Sequence, residues 1–166
     1  MAVVLVEGIT DRIALEAVAA KLGRDLGAAG IEIVPIGGAQ AIRRAAAEHE
    51  GKCVVGLCDA GEERWFRRVL GDATYVCTRD LEDELIRALG PDAVIEVIES
   101  SGELAIFRTF RKQPEWRDRP VVEQLRRFLG VGSGRKIRLA SSLVEHLDLG
   151  HVPRPLDGVL AYVRTR

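Results

Sequence analysis

The chain has 166 residues, 47% of them hydrophobic and 30% charged, which predicts one packed and ordered domain. No apolar run approaches the roughly 18 residues of a membrane span, and no basic leader precedes the first apolar stretch, so we expect a soluble cytoplasmic protein. The net charge of −1 hides a division: residues 1–100 hold 11 Lys/Arg against 18 Asp/Glu, whereas residues 101–166 hold 13 against 7. One interpretation is that the acidic half binds divalent cations and the basic half binds phosphates. The other is that the surface charge is merely uneven.

The first predicted element is a strand that runs into an acidic turn. Residues 3–12 read V-V-L-V-E-G-I-T-D-R, an apolar run suited to a strand buried on both faces and stopped by Glu7. Gly8 allows a tight exit, and Thr10 is predicted to cap a helix that begins near Asp11. Ligands of open α/β sheets gather at the carboxyl ends of the strands, so Glu7 and Asp11 are candidate functional residues.

The same strand, turn and helix pattern then repeats twice. Residues 31–36 form the second predicted strand and end at Gly37-Gly38, whose amides either approach a phosphate or simply form a turn. Residues 53–57 form the third and lead to Asp59. Helices are predicted at 12–22, 39–49 and 62–70. Because parallel strands end at one edge of a sheet, Glu7 and Asp59 are expected to converge if their strands are neighbours.

A fourth short strand, residues 74–77, ends in a third acidic segment, T-R-D-L-E-D-E. Asp80 is placed to cap a helix over 81–89, with Asp83 in the capping-box position, and it fits a metal-binding role equally well. Glu82 and Glu84 fit first-turn acids of that helix unless Glu7 and Asp59 lie close to them. The histidines lack metal-ligand spacing and the cysteines form no C-x-x-C pair, so Cys53, Cys58 and Cys77 are predicted to be buried apolar residues.

From residue 91 onward the pattern is helical, with helices predicted at 91–99, 103–112, 120–129, 135–147 and 155–163. Basic residues are dense there. Singly each fits a solvated surface cation, but together they fit a phosphate-facing patch, with Trp116 available to stack on a base. No P-loop spacing occurs anywhere in the sequence, which argues against ATP hydrolysis by that route.

The acidic and glycine motifs resemble a known family. V-E-G-I-T-D-R at residues 6–12, the Gly37-Gly38 turn and G-L-C-D-A-G at 56–61 look like a toprim domain, the catalytic module of topoisomerases, bacterial primases and several nucleases. D-L-E-D-E-L at 80–85 and R-K-I-R-L-A at 135–140 look more specifically like the overcoming-lysogenization-defect (OLD) type of toprim nuclease. The resemblance covers nearly the whole chain. It implies an α/β fold: a Rossmannoid parallel sheet of about four strands sandwiched by helices in a core at 1–90, with an all-helical C-terminal portion at 91–166.

The resemblance also implies roles for particular residues. Glu7 would be a general base or metal ligand, and Lys136 would lie near the scissile phosphate. One departure is that the usual D-x-D has Gly61 at its second position, for which Glu62 or Glu63 could substitute with a longer side chain. The full predicted metal set for one or two Mg²⁺ or Mn²⁺ ions is Glu7, Asp11, Asp59, Glu63, Asp80 and Glu82, and the predicted nucleic-acid contacts are Arg111, Lys112, Arg135 and Arg138.

These features predict a metal-dependent phosphodiesterase that nicks or cleaves DNA, with RNA as the other nucleic acid that fits. A weakened toprim module that binds nucleic acid or a partner protein is the first alternative. The others are a primase-like nucleotidyl transferase and a doubly wound domain that binds a small phosphate metabolite. OLD relatives often carry an ATPase domain upstream, which this sequence lacks, so we expect it to act alone or with a separate ATPase partner.

Overall fold

The computed structural model describes residues 1–131 and 134–165, and within them the chain forms one parallel sheet with helices on both faces. The strands are β1 (Ala2–Val6), β2 (Ile31–Pro35), β3 (Cys53–Cys58) and β4 (Thr74–Val76). Their order is β2-β1-β3-β4, and every neighbouring pair is parallel. The predicted α/β fold with about four parallel strands is therefore confirmed, and the predicted strand ends shift by one residue.

Nine α-helices lie within the described residues. They are α1 (Ile9–Lys21), α2 (Ile42–Glu48), α3 (Glu63–Leu70), α4 (Leu81–Leu89), α5 (Pro91–Ser100), α6 (Leu104–Arg111), α7 (Val121–Gly130), α8 (Arg135–Glu145) and α9 (Arg154–Arg164). Short 3-10 turns at Ala39–Ala41 and Ala60–Glu62 precede α2 and α3, so both α-helices begin later than the sequence predicts. None of the described helices is both long and apolar enough to cross a bilayer.

The start of α1 differs from its prediction. Gly8 is the N-cap, and the Asp11 side chain accepts a hydrogen bond from the Gly8 N–H at 2.9 Å. Thr10 lies inside the first turn and is buried, so it does not cap the helix. The acid three residues after the N-cap supplies the capping hydrogen bond, and the helix therefore begins directly after the strand turn.

The alternating side chains of β1 divide the apolar interior into two clusters. Val4 and Val6 lie in the larger cluster, whereas Val3 and Leu5 face the smaller one formed with α2 and α3. Gly56 in β3 permits that second layer, because a Cβ there would come within 2.6 Å of the Phe66 ring. All five β1 residues are buried, as expected for a central strand of a parallel sheet.

The C-terminal helices share the larger cluster with the sheet. Leu143 of α8 and Val159 of α9 belong to the same buried cluster as Val4 of β1. Helix α9 lies close to β4, where a Cβ on Gly158 would come within 2.5 Å of the Tyr75 ring. The predicted portion 91–166 is all-helical where it is described and packs directly on the 1–90 core, while residues 132–133 and 166 lie outside the described residues.

Candidate functional site: the acidic edge of the sheet

The ends of β1 and β3 meet through a hydrogen bond between two predicted site residues. The two strands are neighbours, with Val6 opposite Leu57, so Glu7 and Asp59 leave the sheet side by side. The Asp59 N–H donates to Glu7 Oε1 at 2.7 Å. The structure therefore brings these two residues together at one edge, which is the arrangement that a shared site requires.

The Gly37-Gly38 turn supports Glu7 from the other side. Both amides donate to the main-chain oxygen of Glu7, at 3.1 Å for Gly37 and 3.2 Å for Gly38. The two glycines have φ values of 76° and 115°, which side chains with a Cβ rarely adopt. These amides are therefore used to fix the end of β1, which favours the turn interpretation over a phosphate cradle.

The carboxylates at this edge lack enough positive partners. Burial raises the pKa of Asp59 to about 8, with further contributions from Glu7, Asp11, Asp80 and Glu82. Burial also raises the pKa of Glu7 and of Asp11, although the Asp59 and Gly8 amides partly oppose the effect. The raised pKa values indicate that the negative charges of these carboxylates are poorly compensated, and protons or a bound cation would relieve this.

Lys136 and Glu82 complete this edge. Lys136 Nζ lies 3.4 Å from Glu82 Oε1, close enough for an ion pair, but that oxygen is buried and has no partner with hydrogen-bond geometry. Burial lowers the pKa of Lys136, and the charges of Glu82, Asp11 and Asp59 outweigh this, so the net shift is upward. The ammonium therefore stays charged beside the carboxylates.

Asp80 lies at the same edge but has strong partners. Its side chain accepts the Asp83 N–H at 2.9 Å, as an N-cap of α4, which confirms the predicted capping role. It also accepts both Arg126 Nε, at 2.8 Å, and Arg126 Nη2. No local pattern predicts the contact between Arg126 and Asp80, because it spans 46 positions and depends on α7 packing against α4.

The remaining acids of α4 are structural. Glu84 Oε1 accepts the Thr78 N–H at 2.6 Å and lies 2.9 Å from Arg87 Nη2. Asp83 Oδ2 accepts Arg87 Nε at 2.8 Å. Both acids are buried in the first turn of α4, which is where the sequence predicts Glu84. Together they fix the loop after β4 to the start of α4.

Comparison with known proteins finds the same fold in solved structures. Residues 1–55 match the family model for the overcoming lysogenization defect protein-like TOPRIM domain. The C-terminal region of the Burkholderia pseudomallei OLD protein superposes with a TM-score of 0.70 at 19% identity, covering 99% of this chain and 96% of that one. The chain has the OLD-type toprim fold.

A second solved structure leads to the same conclusion about the fold. The C-terminal region of the Xanthomonas campestris pv. campestris OLD protein gives a TM-score of 0.67 at 22% identity, covering 99% of this chain and 94% of that one. No protein of curated function matches the sequence significantly. The family-model match includes Glu7 and Asp11 but ends before Asp59, so beyond residue 55 the likeness is one of fold alone.

Glu63 and Gly61 lie where the toprim D-x-D pattern is broken. Glu63 is in the first turn of α3, and its Oε1 accepts Arg67 Nε at 2.5 Å on the exposed side of that helix. Among the described hydrogen bonds and ion pairs, none joins Glu63 to Glu7 or Asp59. Its metal-binding role therefore stays a prediction. A Cβ at Gly61 would meet nothing within 4 Å, so packing does not explain the missing carboxylate.

The predicted nucleic-acid residues have different surroundings. Arg135 Nε donates to Glu103 Oε2 at 2.5 Å, its Nη1 donates to the main-chain oxygen of Phe128 at 2.9 Å, and its side chain is only 11% exposed. Arg135 therefore joins α8 to α6 and α7 and is poorly placed for a phosphate. Arg138, which pairs with Glu103 Oε1 at 2.9 Å, is 56% exposed.

The other two predicted contacts lie at the end of α6. Arg111 Nε donates to Gln124 Oε1 at 2.7 Å, and its guanidinium lies 5.5 Å from the centre of the Phe107 ring. Lys112 is exposed at the C-cap of the same helix. Arg111 is exposed but its guanidinium is engaged with Gln124 and the Phe107 ring, whereas Lys112 presents its charge to solvent.

The chemistry of this edge fits a divalent cation. Glu7, Asp11 and Asp59 offer hard oxygen ligands with raised pKa values, and Glu82 Oε1 is buried without a hydrogen-bond donor. In residues 1–131 and 134–165, however, no three His, Cys, Asp or Glu side chains are grouped closely enough to enclose an ion. Ion binding would therefore draw these carboxylates closer together than they lie here.

Proposed function

We propose that this chain is a metal-dependent phosphodiesterase that nicks or cleaves DNA at the acidic edge of its sheet. The observation that carries the proposal is the hydrogen bond from the Asp59 main-chain N–H to Glu7 Oε1, at 2.7 Å, which holds together the ends of two neighbouring strands whose carboxyl groups both have raised pKa values. Lys136 supplies a cation at the same edge. The OLD-type toprim fold supports this assignment, and a DNA substrate implies a cytoplasmic location.

The residues divide the chemistry between them. Glu7 uses Oε1 to accept the Asp59 N–H, so its second oxygen is the one able to bind the ion or to take a proton from an attacking water. Lys136 Nζ would contact a non-bridging phosphate oxygen and offset the negative charge that develops there. A bound Mg²⁺ or Mn²⁺ would supply a positive charge that orients the phosphodiester and lowers the pKa of water.

One ion fits the site better than two. Asp80 and Glu82 belong to the predicted metal set and would serve a second ion, but Asp80 already accepts donors from Arg126 and from the Asp83 amide. Gly61 lacks the carboxylate that the second ion would use. We therefore assign a single ion to Glu7, Asp11 and Asp59, with Glu82 beside them, and the Arg126 guanidinium neutralises Asp80.

Supercoiled plasmid provides the direct test. The protein is incubated with Mg²⁺, Mn²⁺ or Ca²⁺, beside Glu7→Gln and Lys136→Ala variants and a Glu48→Gln control at an exposed acid of α2. We expect nicking by the unmodified protein and a loss of roughly 10²- to 10⁴-fold in both site variants, with the control unchanged. Equal nicking by all four proteins would contradict the proposal.

A weakened module that binds nucleic acid or a separate ATPase partner is the second candidate. It is favoured by Gly61 and by the lack of three closely grouped ligands among the described residues. Metal-independent retention of DNA in a gel without cleavage would support it. Gly61→Asp would then raise cleavage, because the position has room for a side chain, whereas the Gly61→Asn control would not. Incorporation of labelled nucleotide would instead indicate a transferase.

Binding of the DNA backbone is assigned to exposed cations of the C-terminal portion. Lys112 is exposed, and the Arg138 side chain is 56% exposed although it pairs with Glu103, so these two are the best placed of the predicted contacts. Arg111 and Arg135 are engaged with neighbouring side chains and main-chain oxygens, so they contribute mainly by holding α6, α7 and α8 together. RNA offers the same phosphates, and the plasmid assay repeated with RNA separates the two substrates.

A further inference from the structure

A small cavity opens beside the acidic edge, between the start of α4 and helix α7. Its volume is about 180 Å³. Its lining combines an aromatic ring with groups of both charges: Asp80, Glu82, Trp116, Glu123, Arg126 and Arg127. The cavity shares Asp80 and Glu82 with the proposed catalytic edge, so whatever enters it lies directly beside that edge.

Trp116 is held firmly in the wall of this cavity. Its ring stacks on Phe110, with centroids 5.4 Å apart and planes inclined by 27°. Its main-chain oxygen accepts Gln124 Nε2 at 2.7 Å, and Gln124 is only 2% exposed. Arg111 Nε in turn donates to Gln124 Oε1. A buried side chain thus fixes the turn that carries the indole, while Trp116 itself stays partly exposed.

The charged walls suit a nucleotide. Arg127 is exposed at the rim, where it can contact a backbone phosphate. Arg126 neutralises Asp80 in the wall, whereas Glu123, which pairs with Arg79 at 2.6 Å, has a half-exposed carboxylate that can accept a hydrogen bond from a base amino group. An aromatic face with cations nearby is the usual construction for holding single-stranded nucleic acid.

We infer that this cavity receives one unpaired nucleobase of the substrate strand, stacked on Trp116 beside the phosphate that is cleaved. The inference rests on the proposed function for its substrate class. Its volume of about 180 Å³ suits one base better than a base pair, and the base would therefore come from a single strand or leave its helix. Trp65 is no equivalent platform, because the guanidiniums of Arg64 and Arg68 already lie 4.8 and 6.0 Å from its ring centre.

Tryptophan fluorescence can report the stacking of a base on Trp116 in an experiment that does not require cleavage. The chain has two tryptophans, so a Trp65→Phe background leaves Trp116 as the only indole. A short single-stranded DNA oligonucleotide is titrated in EDTA, and an abasic oligonucleotide of the same length and charge is the control. We expect a saturable change in Trp116 emission with the normal strand and roughly 5- to 100-fold weaker binding of the abasic one.

Two variants complete the test. Trp116→Leu, measured by anisotropy of a labelled strand, should lose the same roughly 5- to 100-fold in affinity, and Trp116→Phe should recover most of it. Equal affinity for normal and abasic strands would overturn the inference, as would an unchanged Trp116 emission at saturation. If Trp116→Leu fails to fold, the abasic comparison on the intact residue still decides.

Failure of the inference differs from failure of the proposed function. Base-dependent binding in a protein that does not nick plasmid would support the cavity and remove the nuclease assignment. Nicking that depends on Glu7, in a protein that binds abasic and normal strands alike, would remove only the base contact.

Discussion

Two groups of acids lie at one edge of this sheet, and they differ in their partners. Glu7 and Asp59, at the ends of β1 and β3, have raised pKa values caused first by burial. Asp83 and Glu84, at the start of α4, are more buried as residues but contact the Arg87 guanidinium directly. In this molecule, a direct contact with an arginine distinguishes the structural acids from the candidate metal ligands, whereas burial alone does not.

Removing a paired acid should cost the most stability. Glu84→Ala leaves the Thr78 amide and Arg87 without their acceptor, and we expect the free energy of unfolding to fall by roughly 2–4 kcal/mol. Glu123→Ala, at an exposed pair with Arg79, should cost less than about 1 kcal/mol. Urea unfolding of both variants and of Glu7→Gln gives the measurement. A loss in Glu7→Gln as large as in Glu84→Ala would break the comparison.

A divalent ion should stabilise the folded protein through Glu7 and Asp59, which no arginine neutralises among the described contacts, and not through Asp83 and Glu84. At a Mn²⁺ concentration about 100 times the dissociation constant, we expect about 2.7 kcal/mol of added stability in the unmodified protein. Asp59→Asn should lose this gain because it removes a proposed ligand. Thermal unfolding with and without Mn²⁺ tests it, with Glu123→Ala as the variant that keeps the gain. Equal stabilisation of Asp59→Asn would exclude Asp59 as a ligand.

In the absence of metal, the pH dependence of the free energy of unfolding should reveal the raised pKa of Asp59. The pKa of Asp59 rises from 3.8 to about 8 on folding, so its contribution to stability is complete below about pH 3.8 and is lost as the pH rises through 8. In EDTA at pH 9, Asp59→Asn should therefore be more stable than the unmodified protein, by about 1–2 kcal/mol after allowance for solvent screening.

Urea unfolding in EDTA between pH 5 and about pH 9 provides the measurement for this prediction. The slope should be shallower in Asp59→Asn but not absent, because Glu7 and Asp11 also have raised pKa values. Parallel pH profiles for the two proteins would show that Asp59 does not hold its proton in the folded state.

Removing the arginine partner of Asp80 should change Mn²⁺ binding only slightly, which is the smallest effect that we expect. Arg126→Met removes the guanidinium from Asp80, and we expect a weak second equivalent of bound Mn²⁺ where the unmodified protein binds one. Arg127→Met, at the next residue on α7, is the matched control and should keep one equivalent. Electron paramagnetic resonance of free Mn²⁺ counts the bound ions. Two equivalents in the unmodified protein would disprove the single-ion assignment.

The sequence predicted the sheet well because its signals are local. The apolar runs before Glu7 and Asp59 define β1 and β3, and parallel strands must end at a common edge. Asp80 was correctly predicted as an N-cap, since capping depends on residues three positions apart. The convergence of two strand ends follows from such local rules once the strand order is known.

The partners of the charged residues could not be predicted in this way. Arg135 looked like a nucleic-acid contact, yet its guanidinium lies 3.9 Å from the centre of the Phe128 ring and donates to main-chain oxygens. Arg126 finds Asp80 across 46 positions. Such pairs depend on how α7 and α8 pack, and no periodic pattern in the chain encodes that packing.

The hydrogen bond from the Asp59 amide has a stereochemical consequence for the side chain at position 7. A glutamine there could satisfy that amide only by presenting its carbonyl oxygen, because its NH₂ group would meet the N–H head-on. The NH₂ group would then point away from Asp59, towards the place where a positive ion is expected. Glu7→Gln is thus more than the loss of a charge, since it also turns a pair of hydrogens towards any incoming cation.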